Sequence, residues 1–122
     1  MVTLKDIRFE SFCEHHLAPI IGTVHLAYIP QGRVVGISKL ARLVDVFSKR
    51  LQVQEKMTSQ IAETLQRALK PIGVAVLVEG EHHCMCTRGV HKTSTSMISS
   101  AFTGEFLKKQ KFKDEFYKII GK

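Results

Sequence analysis

The chain has 122 residues, of which 44% are hydrophobic, so it is long enough for one domain with a real core and too short for two ordinary domains. No apolar run approaches the roughly 20 residues of a membrane helix, and no signal peptide precedes the first strand, which excludes a membrane-spanning protein and predicts a cytoplasmic one. Lys and Arg number 18 against 11 Asp and Glu, and the charge of +7 suits a polyanionic partner such as nucleic acid, a membrane surface or a phosphorylated small molecule.

The beginning of the chain predicts two strands. Residues 2–9 alternate loosely between apolar and polar and contain several β-formers, and residues 22–29 do so again before the turn at 30–32. We expect these two strands to form an antiparallel pair. His25 lies in the second strand with no cysteine nearby, so it is interpreted as an ordinary strand side chain.

Two helices are predicted next. Apolar residues recur at helical spacing after Ser38, which is a favourable N-cap residue, so the first helix is predicted to start there. The second helix is predicted over residues 52–69, ending at the Pro and Gly of 71–73. Its apolar residues, spaced four apart, predict a side that faces the core: Met57, Ile61, Leu65 and Leu69.

The second half of the chain predicts two more strands and a helix. Residues 74–79 form an apolar run of strand length that continues into the His82 segment, and residues 93–102 are rich in β-branched and hydroxyl side chains. Residues 105–120 predict a closing helix, in which the lysines of 108–113 indicate a solvated basic face. The order is ββααββ with a helical tail, in a single α+β domain over residues 1–122.

Cysteine and histidine are concentrated in two short segments, 11–17 and 81–88, which contain all three cysteines and four of the six histidines. Cys13 and His16 are three apart, a spacing that aims both at one zinc ion, and Cys84 is the natural third ligand. Three protein ligands leave a position for water and define a catalytic site, whereas Cys86 as a fourth ligand would close the site and make it structural. The spacing leaves both arrangements open.

Two histidines are left over for proton transfer. If residues 81–88 are extended, the side chains alternate, so that His82, Cys84, Cys86 and Arg88 share one face and His83 points away. A catalytic zinc lowers the pKa of its water to about 7, and a neighbouring imidazole can then move protons at neutral pH. His82 and His15 are the spare imidazoles of the two segments.

Two further groups of residues suit a nucleotide. Ser38, Lys39 and Arg42 place a hydroxyl and two cations at a helix start, which favours an anion such as phosphate, although a plain N-cap with solvated basic residues is the alternative. The adjacent pair Gln54 and Glu55 lies near the start of the second predicted helix. A carboxylate there is usually a helix-dipole charge, but it is also able to accept two hydrogen bonds from the N1–H and 2-amino group of guanine.

Four segments together resemble GTP cyclohydrolase I, and they follow one another over nearly the whole chain. They are Cys-Glu-His-His at 13–16, Gly-Ile-Ser-Lys-Leu-Ala-Arg at 36–42, Arg-Leu-Gln-Val-Gln-Glu at 50–55 and His-His-Cys-Met-Cys-Thr-Arg-Gly at 82–89. The resemblance implies the tunnelling fold, in which antiparallel ββααββ units assemble into a β-barrel ring and two pentamers stack into a homodecamer. It also implies conversion of GTP to 7,8-dihydroneopterin triphosphate and formate, in pterin biosynthesis of the folate or tetrahydrobiopterin type.

The same resemblance assigns roles to individual residues. It implies one zinc ion per subunit, bound by Cys13, His16 and Cys84, with Cys86 a non-ligand. His15 and His82 match the acid/base histidines, His82 being the one that protonates the purine N7, and Ser38 assists later proton transfers. The substrate-binding positions match around the ribose and triphosphate at Ser38, Lys39, Arg42 and Arg88, and at the purine at Gln54 and Glu55. Active sites of this family lie between subunits.

Family members usually carry a helical region before the first strand, and this chain shows none, so it is either the catalytic portion of a longer protein or a naturally short form. Two other classes of function compete. A small basic zinc module binding nucleic acid would use the charge of +7 and a closed site, but the chain has no repeated finger pattern, and we expect no nucleic-acid partner. A protein that binds a pterin or purine without turnover would not need His15 and His82.

Overall fold

The computed structural model describes residues 1–14, 17–82 and 96–122, so that predictions about His15, His16 and residues 83–95 lie outside the described residues. Within them we number the elements in chain order. The strands and helices are β1 (Val2–Cys13), β2 (Pro19–Ile29), α1 (Ile37–Ser48), β3 (Leu51–Gln52), α2 (Gln54–Leu69), β4 (Gly73–His82), β5 (Met97–Gly104), α3 (Glu105–Lys108) and α4 (Gln110–Ile120).

The five strands form one sheet in the order β3-β1-β2-β4-β5. The predicted antiparallel pair of β1 and β2 is confirmed, and β2–β4 and β4–β5 are also antiparallel. The short β3, which the sequence analysis missed, runs parallel to the end of β1. Two residues are too few to show the alternation of apolar and polar side chains that predicts a strand. The strand β3 is defined by its pairing with Phe12 and Cys13 at the end of β1.

Helices α1 and α2 cover one face of the sheet. Strand residues of alternate parity point toward them, such as Val24 and Leu26 of β2 and Val76 of β4, all fully buried. The predicted core stripe of α2 is confirmed, because Met57, Ile61 and Leu65 are buried in this cluster and Leu69 packs against it. The hydrophobic cluster on this face is larger than the cluster on the opposite face.

The C-terminal helices cover the opposite face with aromatic residues. Phe106 and Phe116 are completely buried against Ala27, Ala75 and Leu77 of the sheet. The rings of Phe106 and Phe116 meet at 77° with centroids 6.4 Å apart, an edge-to-face contact that adds to the stabilisation from burial. The small alanines of β2 and β4 leave the space that these rings fill.

Three element boundaries correct the sequence analysis. Helix α1 begins at Ile37 with Gly36 as N-cap and no side-chain cap hydrogen bond, so Ser38 is a helical residue and does not cap the helix. The predicted closing helix is two helices, because Lys109 is extended at φ −125° and ψ 110°. Strand β5 starts at Met97, and of its predicted beginning, residues 93–95 lie outside the described residues.

A bulge in β1 gives His25 its surroundings. The register between β1 and β2 shifts between Leu4 and Ile7, and Asp6 adopts a left-handed φ of 61°. The Asp6 amide donates to Nδ1 of His25 over 3.0 Å. His25 is 2% exposed and is a strand side chain, as predicted, with the added task of pairing this amide.

Across residues 1–14, 17–82 and 96–122, none of the helices combines the length and the apolar character needed to span a membrane.

Candidate active site

The ends of three strands and the start of one helix meet at one end of the sheet. Because β1 and β4 both run antiparallel to β2, Cys13 and His82 lie at the same end. Ile20 of β2 pairs with Ser11 on one side and with His82 on the other, which puts Ser11 and His82 two strands, about 10 Å, apart. Helix α2 begins here at Gln54.

Cys13 is held at the start of a tight turn. It is 7% exposed, its amide donates to the Ala18 carbonyl over 2.8 Å, and its carbonyl accepts from the Leu17 amide over 2.8 Å. Leu17 has a left-handed φ of 54°, which lets the chain reverse within a few residues. The Glu14 amide donates to the Gln52 carbonyl over 3.0 Å and ties the turn to β3. His15 and His16 lie within this turn in sequence, outside the described residues.

His82 is a half-buried imidazole, and one of its ring nitrogens contacts Gln54. Its Nε2 lies 2.6 Å from the side-chain oxygen Oε1 of Gln54. Burial lowers the pKa of His82 below the ordinary value of 6.5, and the Glu55 carboxylate opposes this shift more weakly. The imidazole is therefore mainly neutral at pH 7, the state in which a histidine has both a donor and an acceptor nitrogen.

Gln54 and Glu55, adjacent in sequence, have different surroundings. Gln54 is 1% exposed, and its side chain contacts the chain itself at both ends, through Oε1 to His82 and through Nε2 to β4 and β5. Glu55 is exposed in the first turn of α2. The carboxylate is thus the member of the pair that is accessible to a ligand from solution.

The predicted anion-binding residues Ser38, Lys39 and Arg42 lie elsewhere. All three are exposed, and the first turn of α1 contains no acidic residue. The loop before α1 is held at the far end of the sheet by the Val35 amide, which donates to the Tyr28 hydroxyl over 3.1 Å. A helix of 12 residues is about 18 Å long, so the start of α1 is that far from the end where β3 joins β1. One chain does not bring the two groups together.

The donor set for a metal is only partly within the described residues. Among residues 1–14, 17–82 and 96–122 no group of three ligand-type side chains is close enough to hold an ion. Cys13 is a free, buried thiol in this part of the chain. His16, Cys84 and the alternative ligand Cys86 lie outside it, as do Arg88 and His83. Two thiolates and one imidazole are ligands that zinc prefers, so the residue types fit the ion.

Three residues around Gln54 were not predicted from the sequence. Ser99 of β5 and Thr58 of α2 contact each other and the Gln54 amide or carbonyl, and Gly80 of β4 faces the Gln54 side chain. A glycine inside an apolar strand often marks the close approach of another group, so the sequence could have indicated such an approach at Gly80. Nothing in the sequence pattern singles out Ser99 or Thr58, because hydroxyl residues are common in strands and helices alike.

Comparison with solved structures identifies the class of fold. The crystal structure of the archaeosine synthase QueF-Like in the apo form superposes with a TM-score of 0.69 and 25% sequence identity. The match covers 84% of this chain and 92% of that chain. The protein is therefore an α+β protein that shares the fold of this synthase.

Sequence comparison identifies the family. The profile of the family described as GTP cyclohydrolase I matches residues 1–121. GTP cyclohydrolase 1 of Maricaulis maris (strain MCS10) is 56% identical over 120 residues, which are 98% of this chain and 58% of the relative. GTP cyclohydrolase 1 of Brucella canis (strain ATCC 23365 / NCTC 10854 / RM-666) is 54% identical over 120 residues, 98% of this chain and 56% of the relative. The chain belongs to the GTP cyclohydrolase I family and spans less than two thirds of the length of these relatives.

Proposed function

We propose that this protein is a zinc-dependent GTP cyclohydrolase, which converts GTP to 7,8-dihydroneopterin triphosphate and formate in the cytoplasm. The observation that supports it most is that the half-buried imidazole of His82 and the buried thiol of Cys13 lie at the same end of the sheet. Membership of the family supplies the reaction, and the site supplies residue types that suit it. The product would enter pterin biosynthesis.

The metal in this proposal is one zinc ion per subunit, held by Cys13, His16 and Cys84. When bound, it would supply the Lewis acidity that activates water at neutral pH. Burial of Cys13 in a turn pinned at two backbone hydrogen bonds supports its role as a fixed ligand. Cys86 is proposed as a neighbour of the site and not as a ligand.

The chain's own residues would carry the proton transfers. His82, neutral at rest, would take up the proton released as water adds to C8 and pass it to N7 of the guanine. The imidazole ring of the purine then opens, and a second hydrolysis releases C8 as formate. The ribose then opens, rearranges to a ketone and closes on the exposed amine. His15 and Ser38 would move the protons of these later steps, since each needs a donor and an acceptor close to the sugar.

Recognition of GTP is proposed to involve two subunits. Glu55, exposed at the start of α2, would accept from the N1–H and 2-amino group of guanine beside Gln54. Ser38, Lys39, Arg42 and Arg88 would bind the ribose and the triphosphate. The separation of about 18 Å along α1 supports a site completed by a second copy, because the start of α1 and the start of α2 lie toward opposite ends of the sheet in one chain. We therefore propose a homo-oligomer, a decamer of two stacked pentamers in which the sheets form β-barrel rings.

The test is turnover of GTP by the zinc-loaded protein. We expect a fluorescent neopterin product after oxidation, and product formation at least about 10²-fold slower from a His82→Ala variant that still binds GTP. Binding of GTP or a pterin without product by the unaltered protein would favour a binding function and contradict the proposal.

A second experiment tests the metal ligands. Cys84→Ala should lose zinc and Cys86→Ala should keep it, measured as bound metal after dialysis. Retention of zinc by both variants would contradict the proposed ligand set.

A further inference from the structure

We infer that Gln54 is a positioning residue, which accepts a hydrogen bond from Nε2 of His82 and so fixes both the tautomer and the orientation of the His82 ring. Ser99, Thr58 and Gly80 in turn hold Gln54 in the one orientation that does this. The assignment of the proton follows from contacts within the chain. Its importance for the reaction rests on the proposed function.

The orientation of the Gln54 amide is determined by backbone carbonyls. The atom at one end of the amide lies 2.9 Å from the Met97 oxygen and 3.3 Å from the Val78 oxygen. Carbonyl oxygens only accept hydrogen bonds, so this atom is the nitrogen Nε2. The other end, which faces His82 at 2.6 Å, is therefore the oxygen Oε1. Since that oxygen only accepts, Nε2 of His82 must donate.

Two hydroxyl groups complete the arrangement. Thr58 Oγ1 lies 2.8 Å from the backbone oxygen of Gln54 and must donate its single hydrogen there. The contact of 2.8 Å between Thr58 and Ser99 is then donated by Ser99. With its hydrogen used, Ser99 Oγ accepts from Gln54 Nε2 over 3.0 Å. The donor and the acceptor are therefore fixed in each of these hydrogen bonds, from the one at the Gln54 backbone oxygen to the one between the Gln54 side chain and His82.

Burial prevents the amide from turning over. Gln54 and Thr58 are each 1% exposed, so a reversed amide would face two carbonyl oxygens without water to separate them. Gly80 limits the space further, because a Cβ at this position would lie 2.5 Å from Oε1 of Gln54 and 3.1 Å from Ile20. Glycine at position 80 is what lets the Gln54 oxygen reach His82.

This role differs from purine binding, which the resemblance implied for Gln54. A residue that contacts the purine contributes to substrate binding, and its loss raises KM. A residue that orients a catalytic histidine acts on the chemical step, and its loss lowers kcat. Partners that orient such groups typically account for about 10-fold to 100-fold in activity.

The experiment reads the tautomer directly by NMR of the whole protein labelled with 15N in the histidine rings, with and without zinc. The His82→Ala spectrum assigns the His82 signals. We expect a protonated Nε2, with its hydrogen protected from exchange, and an unprotonated Nδ1. In Gln54→Leu we expect the protected hydrogen to disappear and the ring nitrogens to shift toward an average of the two tautomers. A wild-type proton on Nδ1, or unchanged signals in Gln54→Leu, would overturn the inference.

Matched variants keep the test informative if Gln54→Leu does not fold. Thr58→Val removes the hydroxyl at nearly constant shape, and Thr58→Ser keeps it, so the His82 signals should change in the first and return in the second. Ser99→Ala should change them, whereas Ser100→Ala, an exposed neighbour on β5, should not. Equal spectra for Thr58→Val and Thr58→Ser would mean that these hydroxyls do not hold Gln54.

Kinetics separate the inference from the proposed function. For Ser99→Ala and Gln54→Leu we expect kcat for GTP to fall about 10-fold to 100-fold while KM changes less than about twofold. A higher KM at unchanged kcat would show that Gln54 binds the purine and would overturn its positioning role. The tautomer is measured without substrate, so a protein that lacks turnover but shows a protonated Nε2 would refute the proposed function alone.

Discussion

Two histidines, the buried His25 of β2 beside the β1 bulge and the half-buried His82 at the site, both have a lowered pKa but have different roles. Burial lowers the pKa of both below 6.5. His25 uses Nδ1 to accept from the Asp6 amide and is 2% exposed. His82 uses Nε2 as a donor and stays half-buried at a sheet end. A neutral imidazole is therefore common to both regions, and the greater exposure of His82 at the sheet end is what suits it to chemistry.

The largest expected effect separates the two histidines by activity. His82→Ala should reduce kcat for GTP by about 10²-fold to 10⁴-fold, because it removes an acid/base group, while the unfolding midpoint in urea changes little. His25→Leu should keep kcat within about threefold. A similar loss of activity in both variants would contradict the assignment of the acid/base role to His82 and of a purely structural role to His25.

A second prediction tests the space that His82 requires. Gly80→Ala should lower kcat about 10-fold and destabilise the fold by about 1–3 kcal/mol, because the new Cβ meets Gln54 Oε1 at 2.5 Å. In a Gln54→Leu background the same substitution should have little further effect on kcat. Additive losses in the double variant would mean that Gly80 acts through some other contact.

A third prediction concerns stability at the bulge. His25→Leu should lower the free energy of unfolding by about 1–3 kcal/mol, since the Asp6 amide loses its acceptor in a part-buried hydrogen bond. Asp6→Gly provides the control, because glycine adopts the φ of 61° without strain and keeps the amide. We expect this control to be neutral or slightly stabilising in urea unfolding. A variant lacking His25 that is as stable as the wild type would contradict the role of the Nδ1 contact.

The smallest effect is a pH dependence of stability from His25. Its pKa is lowered by burial, the largest cause, with four weaker charge effects from Asp6, Lys122, Glu79 and Lys5. At pH above about 6.5 both folded and unfolded chains hold a neutral His25, and its contribution to stability is complete. As the pH falls below that value the unfolded chain binds the proton first, so the contribution decreases toward the lower folded pKa.

The measurement for this effect is a difference between two proteins. The gap in unfolding free energy between wild type and His25→Leu should be smaller at about pH 5.5 than at about pH 7.5. A gap that widens at the lower pH would mean that His25 is stabilised in its charged form, by Asp6 and Glu79, against the direction given by burial.

Sequence patterns predicted those features that depend on near neighbours in the chain. The four-residue spacing of apolar residues in α2 correctly predicted that Met57, Ile61 and Leu65 face the core. The alternation of apolar and polar residues correctly predicted the antiparallel pair of β1 and β2. Four motifs identified the family, because each has its residues within a few positions. Boundaries were less well predicted. The N-cap residue of α1 is Gly36 and not the predicted Ser38. The backbone conformation at the helix start depends on how the preceding loop is anchored, here through the Val35 amide at Tyr28.

Tertiary structure alone decided which polar groups meet. Gln54 and His82 are 28 residues apart and Thr58 and Ser99 are 41 apart, and no local pattern encodes contacts of that separation. The sequence by itself determined the residue types, the α+β class and the family. Only the packing of α2 across β4 and β5 set the direction of each hydrogen bond at His82, because a buried amide between fixed carbonyls has one orientation that satisfies all its partners.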